Sequence, residues 1–335
     1  MSTLRLLGAA APLAVAWMAA CVPPRDSTTP VASAAGAPSA STSTSESEAS
    51  PAISASIPPT VPPPPPAVPR SELPGGGRTI FPDHMLVGFC GTPGAPALGP
   101  LWEKPDVKAK KLLGFGAQYA GNRKLLPVFE LIAVVVQGYA GADKKWRMRV
   151  YDKVVDQYLR VARENNGLLL LNIQPGASDF LTELKAFEKY WHEPDVGVAL
   201  DPEWAMIDAK HTPGVFYGQT TGDTISTVIQ YLADIVKQDD LPEKVLVFHR
   251  VNGYVVKHEE NIQQQPGVVV VESVDGLGPK GMKINTYNFL MGTKAPWIHP
   301  GFKLFFDEDT RNGWRLMSPK EVLALSPPPE YVMYE

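Results

Sequence analysis

Val196-Gly-Val-Ala-Leu-Asp-Pro-Glu-Trp204 decides how this chain is read. A short apolar run between Pro194 and Pro202 has the length and composition of a buried strand. Side chains alternate along a strand, so Gly197, Ala199, Asp201 and Glu203 share one face, and Val198 and Leu200 the other. Large aliphatics suit a face that packs on helices. Small residues followed by two acids suit the crowded inside of a closed barrel, with the acids at its C-terminal rim, where parallel barrels carry their chemistry. The plainer alternative is a strand end at which Asp201 caps the next helix and Glu203 is solvated.

Working outward, similar runs alternate with helical patterns. The runs are Met85–Cys90, Leu126–Ile132, Leu168–Gln174, Val196–Asp201, Val245–His249, Val268–Ser273, Lys283–Tyr287 and Phe302–Asp307. Amphipathic patterns cover Val107–Tyr119, Arg149–Asn165, Asp179–His192 and Asp223–Gln238. Strand–helix alternation calls for a parallel sheet, and eight strands between Arg78 and Glu335 call for a single (β/α)8 TIM-barrel-like domain. An open doubly wound α/β sheet is the alternative. Val274–Met282, with three glycines and a proline, is too short for a crossover helix between its flanking runs. Either that unit is degenerate or one of the two runs is not a strand.

Most of these runs end in a carboxylate, amide or imidazole: Glu130, Asn172 and Gln174, Asp201 and Glu203, His249, Glu272, and Asp307 with Glu308. A closed barrel would converge such groups on one mouth. Two carboxylic acids flanking a bond suffice for glycoside hydrolysis, one protonating the leaving oxygen and the other attacking or activating water. The expected catalytic set is Glu203 as acid, Glu272 as nucleophile or base, and Asp201 tuning Glu203 by like-charge coupling. Glu130, Gln174, Trp204, His249 and Asp307 are expected to line the substrate site. Tyr254, Trp297 and Trp314 also fall just beyond run ends, where aromatic platforms serve sugars. Cys90 reads as a small buried residue. Asp275-Gly276 reads as a turn.

The net charge is −4, and no Lys/Arg-rich stripe stands out, so nucleic acid is not an expected partner. There is no Gly-rich phosphate loop, no metal motif of recognisable spacing and no Gly-x-Ser-x-Gly elbow. No cofactor is implied and no metal ligands are assigned. A metal-dependent hydrolase stays open as an alternative, because His249 with rim acids could hold an ion.

Met1–Ala20 carries one basic residue, Arg5, then an apolar run ending in small residues before Cys21. The run is short for a membrane span and fits a signal peptide. The residues before Cys21 resemble the bacterial lipoprotein signal, which implies that Cys21 is acylated after cleavage. Residues 21–77 are Ser, Thr, Ala and Pro with few large apolar side chains, the composition of a disordered tether. Export and lipid anchorage to a bacterial cell membrane or outer membrane are therefore expected.

Leu86-Val-Gly-Phe-Cys-Gly91, Pro127-Val-Phe-Glu-Leu-Ile132, Leu171-Asn-Ile-Gln-Pro-Gly176 and Leu200-Asp-Pro-Glu-Trp204 together resemble a group of secreted bacterial lipoproteins with a glycosidase-like barrel. The resemblance spans Leu86 to Phe306. It implies a barrel and export, but no established activity and no site residue beyond those above. The expected function is a cell-envelope lipoprotein whose barrel acts on or binds a polysaccharide. A non-catalytic glycan-binding or structural surface protein is the alternative from another class. Acylation is checked by Cys21→Ser in the full chain, which should move the protein from the membrane to the soluble fraction. Unchanged partition would refute it.

Overall fold

The structure, a computed structural model, describes residues 71–206 and 212–335. The leader, Cys21 and the tether up to residue 70 lie outside the described residues. Eight parallel strands form the barrel: β1 (His84–Gly91), β2 (Lys124–Val136), β3 (Leu168–Ile173), β4 (Val196–Leu200), β5 (Lys244–Arg250), β6 (Val268–Val274), β7 (His299–Leu304) and β8 (Tyr331–Tyr334). Each pairs with the next in sequence, and β8 pairs with β1, with Leu86 opposite Tyr331, so the sheet closes on itself. The fold is the (β/α)8 type, and the open doubly wound sheet is ruled out.

The surrounding helices are α1 (Pro105–Gly116), α2 (Asp152–Glu164), α3 (Phe180–Lys185), α4 (Glu188–Trp191), α5 (Gly222–Gln238), α6 (Lys280–Met291) and α7 (Pro319–Leu323). Their starts follow from local chemistry. The Asp179 carboxylate accepts from Thr182 N at 2.8 Å, and Thr221 Oγ1 accepts from Thr224 N at 3.2 Å, each satisfying a first-turn amide that the helix itself leaves open.

Two of the sequence expectations are corrected. Lys283–Tyr287 is not a strand but the middle of α6, and the last strand is Tyr331–Tyr334. The irregular unit is not between β6 and β7, which α6 spans normally. It lies between β5 and β6, where residues 251–267 hold only a two-residue strand, Val256–Lys257, paired with Thr220–Thr221, and one turn of 3-10 helix.

Glycine marks the inside of the barrel. A Cβ on Gly88 would meet Val128 O at 2.5 Å, one on Gly197 would meet Leu170 Cδ2 at 2.7 Å, and one on Gly301 would meet Val271 Cγ1 at 2.9 Å. These positions alternate with outward apolar residues such as Val87, Val198 and Phe302, which pack under the helices. The lower half of the interior is apolar, with Leu86, Leu126, Val128, Leu170, Val247 and Val271 in one cluster. Leu73 and Ile80 close that cluster from the N-terminal end. The folded part therefore begins before Arg78. Ser71–Gly77 turns under the barrel, with Leu73 buried and Arg78 Nη1 donating to Ser71 O at 2.7 Å. No helix among the described residues is long and apolar enough to cross a membrane.

Ile80 is fully buried, so Ile80→Ala opens a cavity at the floor. Urea denaturation should show a loss of about 2–4 kcal/mol with the secondary structure retained. A loss below about 0.5 kcal/mol would mean that this segment does not seal the barrel.

Candidate active site at the C-terminal mouth

Above the apolar floor the interior turns polar. Tyr331, at the start of β8, donates to Glu130 Oε2 at 2.5 Å, so the lowest acid is held across the barrel from β2. Glu130 Oε1 accepts from Asn172 Nδ2 at 3.1 Å and lies 3.2 Å from His249 Nε2, at ion-pair range but off hydrogen-bond geometry. The other imidazole nitrogen, Nδ1, meets Asp275 Oδ2 at 2.9 Å, and Ser273 Oγ donates to Asp275 Oδ1 at 2.7 Å. Lys303 Nζ then lies 3.3 Å from Asp275 and 2.6 Å from Glu335 Oε2. A chain of alternating charge thus runs Glu130, His249, Asp275, Lys303, Glu335, contributed by β2, β5 and β7 and by the residues just past β6 and β8.

Burial disfavours the charges of Glu130, His249, Asp275 and Lys303, but the partners win. His249 is raised well above the usual imidazole range because Asp275 and Glu130 outweigh its burial. Burial lifts Asp275, yet His249 and Lys303 pull it down to about 2. Glu130 likewise ends below its ordinary value against its burial, through His249 and then Lys303 and Tyr331. Lys303 is raised by Glu335 and Asp275 over the opposing effect of burial. Both imidazole nitrogens face carboxylates, which favours the charged ring. Among the described residues no group of three or more His, Cys, Asp or Glu is placed to hold a metal ion.

The two acids of the opening stretch sit above this chain and are treated differently. Asp201 Oδ1 accepts from Asn172 Nδ2 at 2.9 Å and Oδ2 from Gln174 Nε2 at 3.0 Å. Gln174 is itself fixed, because its Oε1 accepts from Val136 N at 3.1 Å. Burial raises Asp201, with His249 and Lys303 offsetting part of the effect and Glu130 adding to it. Glu203 stands on the 3-10 turn Pro202–Trp204 and is 7 % exposed. Its Oε2 has no hydrogen-bond partner. Burial first, then the charges of Asp201 and Asp275, raise it well above the carboxylate range. Both acids are thus pushed toward the protonated form, Glu203 the more strongly, while the two amide donors favour the charged form of Asp201.

The expected residues divide as follows. Glu130, Gln174, Asp201, Glu203 and His249 converge inside the barrel. Glu272 does not: it belongs to the outward face of β6, where it accepts from Arg250 Nη1 at 2.9 Å, and it cannot partner Glu203. Burial, opposed by Arg250 and helped by Glu259, pushes Glu272 up to about 8. Its neighbours Ser273 and Asp275 take the inward positions. Asp307 is exposed on the loop after β7, and Lys303 is the inward residue of that strand. Trp204 is half-buried just past Glu203. Trp297 precedes β7 and so lies at the opposite end of the barrel, lining a groove with Phe81 and His299. Cys90 is buried as expected, and burial with Glu335 raises its thiol. Asp275, Lys303, Tyr331 and Glu335 were not anticipated. The inward phase set by Gly301 is the signal that could have found Lys303.

Exposed aromatics gather on the loops at this end: Trp102 after β1, Tyr139 after β2, Tyr217 after β4, Tyr254 after β5 and Trp314 after β7. Tyr217 is raised by its burial and by the nearby Glu203 charge, which places it beside the outermost acid.

No family model matches this chain, and no curated protein and no solved structure matches it.

The raised Glu203 makes stability depend on pH. In the unfolded chain its carboxyl ionises near its ordinary pKa, while in the fold it keeps its proton to a higher pH. The folded state then binds more protons, so its stability falls as pH rises above the unfolded value and is fully present below it. Glu203→Gln removes this loss. Chemical denaturation should show the variant gaining on the wild type from pH 4 to pH 7.5, and a difference independent of pH would show that Glu203 is not held neutral.

Proposed function

We propose that this chain is an exported, lipid-anchored envelope protein whose barrel hydrolyses a glycan, with Glu203 as proton donor and Asp201 as the second carboxylate. The observation that supports the reading best is the pairing of a buried Glu203, pushed toward its protonated form and with no partner for Oε2 among the described residues, with an Asp201 held by Asn172 and Gln174. Glycoside hydrolysis asks for this asymmetry, an acid that keeps its proton near neutral pH and a carboxylate that does not move. In the proposed step Glu203 gives its proton to the glycosidic oxygen as the bond to the anomeric carbon breaks. Asp201 attacks that carbon or takes a proton from the attacking water, and positive charge developing on the sugar faces the acids. Gln174 and Asn172 are positioning residues for Asp201, as are Glu130 and His249 behind them. The aromatic side chains of the mouth, Tyr217 nearest to Glu203, supply stacking faces for sugar rings. The leader and Cys21 support the envelope location.

The test is reducing-end release by the full chain from a panel of envelope and extracellular polysaccharides. Glu203→Gln should lower turnover about 10²–10⁴-fold with little change in KM, as expected for loss of a general acid. Asp201→Asn should also abolish release. Saturable binding with no release from any polymer, unchanged in both variants, would assign the barrel the non-catalytic glycan-binding role.

A further inference from the structure

Between β5 and β6 the outer face of the barrel carries ions where a crossover helix would bring aliphatics. Arg250 on β5 and Glu272 on β6 share that face, and Glu259 reaches it from the 3-10 turn Glu259–Asn261 of the connection. One nitrogen, Arg250 Nη1, bonds Glu272 Oε1 at 2.9 Å and also Glu259 Oε2, so both carboxylates converge on the same point. Their other oxygens, Glu272 Oε2 and Glu259 Oε1, are buried with no hydrogen-bond partner among the described residues. Two carboxylates on one guanidinium carry one negative charge too many, and two buried acceptors without a donor are destabilising. A single proton on Glu272 answers both. It leaves one carboxylate for one guanidinium and gives the pair an O–H donor. Burial, opposed by Arg250 and helped by Glu259 through charge and hydrogen bonding, holds Glu272 up at about 8.

The other groups around Glu272 have partners of their own. Tyr287 on α6 donates to Pro327 O at 2.7 Å, and Lys294, just past α6, donates to the carbonyls of Ala295 and Ile298. Glu330, ahead of β8, acts on both of them and pairs with His299 at 2.6 Å. β7 sets Pro300 opposite Glu272, and the buried residues of α5 are all apolar. On the connection itself His258 and Glu260 are exposed and 3.4 Å apart. Glu259 thus ties the connection to the sheet, and further bonds tie it to the start of α5. Thr220 N donates to Val255 O at 2.8 Å, Asn261 Nδ2 to Asp223 Oδ2 at 3.0 Å and Ser226 Oγ to Asn261 O at 2.9 Å. Just before Thr220 the chain runs past the mouth, where Gly218 N donates to Glu203 O at 2.6 Å.

We propose that Glu272, Arg250 and Glu259 form a proton-dependent latch, which fastens the 251–267 connection to the barrel while Glu272 is protonated and lets it open when that proton is lost. Glu259 is the acid that moves, because Glu272 is fully buried within a strand whereas Glu259 is partly exposed on a single turn. The closed connection binds the proton more tightly than the open one, in which Glu272 meets water, so rising pH favours opening. Through Thr220 the opening loosens the segment beside Glu203. The latch does not depend on what the mouth binds.

The experiment is hydrogen–deuterium exchange of the full chain at about pH 6.5 and about pH 9, read as protection factors so that the intrinsic pH dependence of exchange drops out. Peptides covering residues 255–263 should lose about tenfold in protection at the higher pH, as a single deprotonation in this range requires, while peptides of β1 to β4 keep theirs. Glu272→Gln keeps a neutral donor at this point and should hold the protection at the higher pH. Glu259→Gln, a second variant should the first not fold, should also remove the pH dependence, because it leaves Glu272 alone with Arg250. Protection of 255–263 that does not change with pH in the wild type would overturn the latch. An equal loss in Glu272→Gln would do the same, since the opening would then belong to Tyr287, Lys294 or His258. A loss spread evenly over the barrel would make the titration one of global stability and also overturn the proposal.

Discussion

The structure depends on how a few charges are kept inside the barrel. Taking one carboxylate or ammonium out of water costs several kcal/mol, and that cost is offset only by close partners of opposite sign and by hydrogen bonds. Here two cations do this for three acids, His249 between Glu130 and Asp275, and Lys303 between Asp275 and Glu335. The partners come from β2, β5 and β7, with Asp275 just past β6 and Glu335 just past β8. Three of the four pairs join neighbouring strands, and the fourth, Glu130 with His249, reaches across the interior from β2 to β5. Tyr331, which bonds Glu130 from the first residue of β8, also sits opposite Leu86 at the closing seam. The Tyr331–Glu130 bond thus depends on closure of the sheet. Loss of one member, such as Asp275, would leave His249 and Lys303 as buried charges with fewer partners, a change in the class that costs several kcal/mol.

Much of this was legible where side-chain size contrasts with phase. On β4 the small Gly197 and Ala199 alternate with Val198 and Leu200, and the inward path of Asp201 and Glu203 follows from them. β6 offers no such contrast. Val268 to Val271 are all valine, so nothing in the run says which parity faces in, and Glu272 was placed inside when Ser273 and Asp275 hold that side. The helix α6 was hidden for another reason. Its buried positions, 283, 287, 290 and 291, have helical spacing, but the first is a lysine. Lys283 reaches back to Asp309 at 2.9 Å and to the carbonyls of Gly276 and Lys303, so a charged residue occupies a position where periodicity expects an aliphatic. β8 is four residues long and follows three prolines, too short and too flanked by breakers to stand out.

The unit that lacks a helix explains what Glu272 does instead. Between β5 and β6 no crossover helix covers the outer face, and strand residues that would meet aliphatics there are charged. Arg250 Nη1 joins Glu272 at 2.9 Å and also bonds Glu259 from the connecting turn. The guanidinium therefore anchors the 251–267 segment to the sheet in place of helix packing. A planar fork with several donors can serve two carboxylates at once, which a lysine could do only as a point charge. The raised Glu272 is the cost of that arrangement, since one arginine does not fully compensate two buried acids.

The mouth repeats this imbalance, but with a different outcome. Outside the barrel the uncompensated acid is covered and its protonation stays internal to the fold. Inside, the excess of carboxylates is not spread evenly along the axis. The doubly bonded cations sit among the deeper acids, and among the described residues the neutral amides of Asn172 and Gln174 are the hydrogen-bond partners of the Asp201 carboxylate. Burial and the charges of Asp201 and Asp275 then fall on Glu203, whose carboxyl is pushed well above its ordinary range. The acids with close cationic partners are thus set apart from Asp201, which two amides hold, although the inward phase that begins at Gly197 brings Asp201 and Glu203 into the same interior.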